Sequence, residues 1–186
     1  STVRIKETLE LTAFFIASEI ANYQLLQRLE MLSTMDMLTG AKNRNAMNNM
    51  ISDIISGKTD VKYPYSVIFS DLNGLKRVND ESGHTEGDHL LKTTASTLAG
   101  VFFEGDVYRA GGGEFMILAF DMDEKTLEAR IERLEKQADK ENISLSVGTY
   151  VVHEGEDIRN AMRIADERMY NDKKEYYDKH PERRYR

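Results

Sequence analysis

Apolar and polar positions change their period twice along the chain, and each change marks a boundary between elements. Between residues 3 and 35, Leu11, Phe15, Ser18, Asn22, Leu25, Leu29 and Leu32 recur at alternating steps of four and three, the seam of a coiled coil. Ile16, Ile20 and Tyr23 lie beside the seam and widen the apolar face beyond what a two-stranded zipper needs. Two readings stay open for this helix: it packs on a domain upstream, or it dimerises. Asp36-Met-Leu-Thr-Gly40 breaks the pattern, and Met47, Met50, Ile51, Ile54 and Ile55 predict a second amphipathic helix that Gly57 stops.

From Ser66 the period becomes strand-like, and apolar runs alternate with helical stretches. Ser66 to Leu72 reads as the first strand, and a helix from about Thr85 to Phe102 presents Leu90, Leu91, Leu98 and Phe102 on one side. Val107 to Ala110 and Glu114 to Phe120 are two short strands around a glycine turn. Leu127, Ile131, Leu134 and Ala138 mark a helix, Ile143 to Val152 a fourth strand, and Ile158, Met162, Ala165 and Met169 a last helix. The order βαββαβ predicts an α+β domain. Two interleaved right-handed crossovers place its first and third strands side by side and antiparallel. Asp71, at the end of the first strand, then shares one sheet edge with the turn from Gly111 to Glu114.

Composition narrows the chemistry. There is no cysteine among the 186 residues, so disulfides and thiolate metal sites are excluded, as suits a reducing cytoplasm. A net charge of −7 argues against a general nucleic-acid binder, which needs a Lys/Arg surplus to displace phosphate counterions. The apolar stretch from Leu11 to Ala21 contains Glu19 and is shorter than the roughly 20 residues of a membrane span. Entry into an amphipathic pattern almost at Ser1 suggests a fragment of a longer protein, divided into a signalling helix (1–35), a main domain (36–178) and a tail (179–186). Arg183-Arg184-Tyr185-Arg186 reads as solvated tail.

Two motifs point to a phosphate-handling site: Arg109-Ala-Gly-Gly-Gly-Glu-Phe115, and Asp71-Leu-Asn73-Gly74. Such a site needs turns that bring backbone N–H groups to an anion and carboxylates that hold divalent ions. A Ca²⁺ loop beginning at Asp71 fails, because Leu75 and Ser82 stand where oxygen ligands are required, and no Walker-type Gly-Lys-Ser/Thr occurs.

In these and three further motifs the chain resembles the GGDEF domain family, the diguanylate cyclases, over roughly Asp36 to Lys173. The matching runs are Asp36-Met-Leu-Thr-Gly-Ala-Lys-Asn-Arg44, Asp71 to Asp80 with Gly83-His84 and Gly87-Asp88, the glycine turn, Ser146-Val-Gly148, and Ala165-Asp166 with Met169-Tyr170 and Lys173. The resemblance implies a palm-type, nucleotidyl-cyclase-like antiparallel sheet flanked by helices, and condensation of two GTP molecules into cyclic di-GMP within a face-to-face dimer. It implies Mg²⁺ or Mn²⁺ held by Asp71, the Leu72 carbonyl and Glu114. Phosphates would meet Gly74, Leu75, Lys76, Lys173 and the turn glycines Gly111 and Gly112. Asn79 and Asp88 match the family's pair for guanine, whose N1–H, N2–H₂ and O6 edge suits one carboxylate and one amide. It further implies a homodimer through the N-terminal helix and an upstream sensor domain.

Plain structural readings stand beside these: Asp71 as a turn aspartate, Asp88 as a first-turn helix carboxylate, Lys76 and Lys173 as solvated lysines. His84 reads as a packed or capping histidine. Three departures from the family pattern matter. Gly113 replaces the signature acid, Asn73 stands where the family often has Asp, and Phe102-Phe-Glu-Gly105 occupies the place of the Arg-x-x-Asp product-inhibition site. Weak or absent cyclase activity and no feedback binding follow as expectations. A slow cyclase, a GTP-binding module and a dimerisation domain without nucleotide remain the three candidate functions.

Overall fold

Thirty-three residues, Thr2–Thr34, form one helix, α1. The computed structural model describes residues 2–103 and 105–183. The chain divides into two units, Ser1–Thr34 and Met35–Arg186. On α1 the apolar seam residues Leu11, Phe15, Leu25, Leu29 and Leu32 are each more than half exposed. No helix among the described residues is long and apolar enough to cross a membrane.

The second unit contains α2 (Arg44–Ile55), β1 (Tyr65–Leu72), α3 (Leu75–Ser82), α4 (His84–Val101), β2 (Asp106–Gly111), β3 (Glu114–Ala119), α5 (Glu124–Lys140), β4 (Leu145–Val152) and α6 (Ile158–Lys179). The four strands lie in the order β2-β3-β1-β4, and every neighbouring pair is antiparallel. The first and third strands are therefore adjacent, as the crossover argument requires. β1 lies inside the sheet, which explains why it is buried along almost its whole length on both faces.

Alternation along the strands sorts the core into two layers. Ile68, Leu72, Phe115 and Ile117 face α4 and α5, packing on Leu91, Leu98, Leu127 and Leu134. Tyr65, Val67, Met116 and Leu118 face α2 and α6, packing on Met47, Ile158, Ala161 and Ala165. Side-chain caps start three of these helices: Asn43 accepts from Ala46 N–H, Asp123 from Thr126 N–H and Asp157 from Arg159 N–H.

Several boundaries differ from the sequence reading. The glycine-containing stretch after β1 is an eight-residue helix, α3, with Gly74 as a left-handed N-cap. Its sequence LKRVNDES buries no residue, so no apolar stripe announced it. β4 begins at Leu145 because Ile143 belongs to the turn after α5, where its N–H bonds the Ala138 carbonyl. His84 is the first residue of α4 and exposed, while Gly83 holds the cap position, so His84 neither packs nor caps. Arg183 donates to the Tyr176 hydroxyl at 2.8 Å and is thus not a solvated tail residue; residues 184–186 lie outside the described residues.

α6 crosses β4 at unusually short range. A Cβ added at Gly148 would lie 2.0 Å from the Ala165 carbonyl oxygen and 2.2 Å from the Met169 nitrogen, both backbone atoms that cannot step aside. The Ser-Val-Gly motif is accordingly a packing device. Gly148→Ala is expected to destabilise the domain by at least about 2 kcal/mol in urea denaturation. In the same measurement Gly100→Ala, in a helix with open space around it, should be neutral or stabilising by up to about 1 kcal/mol.

Candidate active site

The β1–β3 register pairs Asp71 with Glu114. Directly paired residues of antiparallel strands present their side chains on one face. Both acids line a cleft of about 690 Å³, walled on the other side by Asp166, Glu167, Met169, Tyr170, Asn171 and Lys173 of α6. Asp71 is 6% exposed, and its Oδ2 forms an ion pair with Lys173 Nζ. Lys173 is thus brought to the site as expected, but against the carboxylate. A carboxylate this buried requires a cation beside it, and the ammonium supplies one.

Gly113 precedes β3 and belongs by alternation to the opposite face, beside Leu72. A Cβ built there would lie 3.1 Å from Leu72 Cβ, 3.4 Å from the Leu72 carbonyl oxygen and 3.5 Å from Asp71 Oδ1. A side chain at 113 would therefore start within reach of the two oxygens already implicated as metal ligands. Glu114 occupies a different direction and cannot substitute for it. Among the described residues no three His, Cys, Asp or Glu side chains converge on a common point. The donors present still suit Mg²⁺, which takes hard oxygens and typically uses only one or two protein carboxylates alongside substrate phosphates and water.

The glycine turn is braced from outside. Arg109 donates from Nε and Nη2 to the Gly112 carbonyl at 3.1 and 2.9 Å, and from Nη1 to both carboxylate oxygens of Asp36 at 3.1 and 3.2 Å. Asp36 also accepts from the Thr39 N–H at 2.9 Å and the Thr39 hydroxyl at 2.6 Å. Backbone bonds run alongside, from Arg109 N–H to the Lys42 carbonyl and from Lys42 N–H to the Val107 carbonyl. Gly112 has a φ of 51°, the left-handed region open to glycine. Partial burial opposes ionisation of Asp36, but the Thr39 hydrogen bonds and Arg109 outweigh it and hold the carboxyl below its ordinary 3.8.

Just past the end of β1, two residues after Asp71, Asn73 is buried and structural. Its side-chain amide donates to Ser144 Oγ at 3.2 Å, and its carbonyl oxygen accepts from the Ser146 hydroxyl at 3.1 Å. Next in sequence, the Gly74 N–H donates to the Tyr177 hydroxyl at 3.2 Å, so this predicted phosphate donor already has a partner. Leu75 and Lys76 form the first turn of α3, where N–H groups lack intrahelical acceptors and suit an anion. Lys76 is exposed.

Asn79 on α3 packs against Gly87 of α4, the residue before Asp88. A Cβ at Gly87 would fall 1.8 Å from Asn79 Oδ1, so the Asn79 amide occupies the room that a side chain at 87 would take. Neither Asn79 nor Asp88 lines the Asp71 cleft. Gly111 and Gly112 form the turn itself, at the end of β2 and just beyond it.

The profile for "Diguanylate cyclase, GGDEF domain" matches residues 33–179. The chain belongs to the GGDEF domain family. It is 28% identical to the diguanylate cyclase DgcP of Escherichia coli over 92% of this chain and 55% of that protein. It is 36% identical to the cyclic di-GMP phosphodiesterase PdeR of the same organism over 58% of this chain and 16% of the relative. The chain thus spans only part of these curated relatives. Among solved structures, the coiled coil and GGDEF domain of DgcB from Caulobacter crescentus, in complex with c-di-GMP, superposes with a TM-score of 0.70 at 22% identity, covering 88% of this chain and 94% of that one. That likeness shows the shared fold.

In this GGDEF domain the place of the Arg-x-x-Asp site carries no arginine, and Phe103 there is exposed. Phe102 is fully buried in the core, and a Cβ at Gly105 would lie 2.8 Å from the Leu118 carbonyl oxygen; Glu104 lies outside the described residues. The residues that sequence reasoning missed are Arg109, Tyr177 and the cleft wall at Asn171. Arg109 stands 73 positions from Asp36, and nothing in the spacing links them.

Asp36→Asn tests the brace. Because the folded carboxyl titrates below 3.8, its contribution is present above about that pH and is lost as pH falls through the lower folded value. At pH 7 the variant should be less stable by about 1–2 kcal/mol in urea, with the gap to the parent closing on acidification toward pH 3. A gap that is constant with pH would contradict the assignment.

Proposed function

We propose that this GGDEF domain binds GTP with Mg²⁺ and has weak or absent diguanylate cyclase activity, acting in cyclic di-GMP signalling chiefly as a nucleotide-occupied module. The observation that carries the reading is the vacant side-chain direction at Gly113, which starts 3.5 Å from Asp71 Oδ1. Asp71, the Leu72 carbonyl and Glu114 would hold the ion, Lys173 would be available to a phosphate, and the N–H groups of the first turn of α3 would meet the phosphate chain. Asn79 and Asp88 read the guanine edge. When bound, Mg²⁺ would neutralise the triphosphate and stabilise charge that develops during transfer.

Losing one ligand from such a cradle costs rate more than binding, because electrostatic stabilisation acts on charge that appears in the transition state. The direct pairing of Asp71 with Glu114 favours a second reading, in which these two acids and water sustain a slow but genuine cyclase. In either case α1, with its exposed apolar seam, serves as the homodimer contact and the link to an upstream sensor domain, in the cytoplasm.

Gly113→Asp distinguishes the readings, assayed as cyclic di-GMP formed from GTP with Mg²⁺ or Mn²⁺. A rise of at least about 10²-fold over the parent is expected. No product from the variant, with GTP still bound, would show that other parts of the site have also changed.

Calorimetry should show GTP preferred over ATP by at least about 10²-fold, since adenine leaves Asn79 and Asp88 mismatched. Equal binding of both nucleotides, or of neither, would remove the proposal.

A further inference from the structure

β4 is an outer strand of the sheet, and among the described residues its second edge faces no strand. In an antiparallel pair, successive residues direct their N–H and C=O groups alternately toward and away from the partner strand. The Val147 N–H and the Thr149 carbonyl point away from β1, because α6 side chains meet them there: Asp172 accepts from Val147 at 2.9 Å, and an Arg168 Nη1 donates to Thr149 at 2.7 Å. The outward set is therefore Leu145, Val147, Thr149 and Val151, a row of main-chain groups along the rim of the sheet.

Two clefts of about 670 and 400 Å³ adjoin this rim and share Ile131 and Thr149, so they make one groove between β4 and α5. Its floor is apolar, with Leu127, Ile131, Leu134, Leu145 and Val147. Its walls are acidic. Glu124, Glu128 and Glu132 line one half, and Glu135, Asp139 and Asp172 the other. Against these six carboxylates stand Arg168 and His153, and the His153 ring already meets Glu124 at 2.8 Å. None of the lysines and arginines of α5 lines the groove.

We propose that the β4 edge is a docking site for an extended segment of a partner protein whose α5-facing positions, every second residue, carry apolar side chains at the centre and lysine or arginine toward the ends. The segment adds a fifth strand: its main chain takes over the bonds now made by Asp172 and Arg168, its apolar side chains fill the groove, and its cations meet the acidic walls. A second copy of β4 does not fit, since it would set one acidic wall against another. Exposed edges attract strands, and the side chains of Asp172 and Arg168 hold this one in a protected state until a segment of matching charge arrives.

The test uses the full chain and a peptide of eight residues, the length of β4, in which one face carries valine, isoleucine and lysine at every second position and the intervening residues are threonine. Fluorescence anisotropy reads the affinity and amide shifts read the location. The expected shifts fall on residues 145–153 and on α5, and affinity falls as salt rises. Replacing the lysines by glutamate, or one central valine by proline, should weaken binding at least about tenfold, because the first reverses the charge match and the second deletes a ladder donor. Combining Glu128→Lys, Glu132→Lys and Glu135→Lys should switch the preference to the glutamate peptide. Absence of binding by the lysine peptide overturns the proposal. So does equal binding of the proline peptide, which would mean attraction of charge without strand pairing.

Discussion

The antiparallel register between β1 and β3 is the constraint on which the candidate site depends. It sets Asp71 opposite Glu114, and a slip of one residue would send either acid to the other face of the sheet. That register is not fixed by the acids. Ile68 opposes Ile117 and Val67 opposes Leu118, all fully buried, so shifting the strands would exchange the two core layers and expose apolar surface on both. The chemistry at the strand ends thus inherits its geometry from hydrophobic burial several residues away.

Much of this was legible in the sequence because it rests on periodicity and order. The apolar runs of β1 and β3 and the crossover rule together brought Asp71 to the glycine turn from forty positions away. What could not be read depended on single contacts. Little in LKRVNDES distinguishes a helix from a loop, since α3 fully buries no residue and meets the core only through the half-buried Leu75. The Arg109–Asp36 brace and the Tyr177 bond to Gly74 join residues with no shared pattern. His84 was misread for a related reason: a histidine beside a glycine invites a capping role, but Gly83 itself holds the turn.

Several family motifs prove to be fold chemistry first. Gly148 exists because α6 passes within van der Waals range of β4, and Gly87 because the Asn79 amide fills its place. Asp36 fastens the glycine turn through Arg109 rather than meeting a substrate. Asn73, which departs from the family's frequent aspartate, bonds both Ser144 and Ser146, and a carboxylate would lack the N–H₂ that the first of these receives. A chain can therefore retain most of its recognisable motifs under selection for folding alone, so matching motifs certify the architecture and leave turnover to be judged at the few positions that touch charge.

Gly113 is such a position, and its effect on the site is electrostatic rather than architectural. The turn is held by Arg109, by Gly112 in its left-handed conformation and by the Lys42 bonds, none of which involves a side chain at 113. Removing an acid here also removes a negative charge from beside Asp71, whose burial is already costly. With no acid at 113, the Lys173 ammonium pairs with Asp71 without a further carboxylate on the Leu72 side, while Glu114 stays on its own side of the cleft. A second acid at the same point would leave an excess charge that only a divalent ion could offset. The glycine at 113 thus leaves the backbone of the turn intact and changes only the charge beside Asp71.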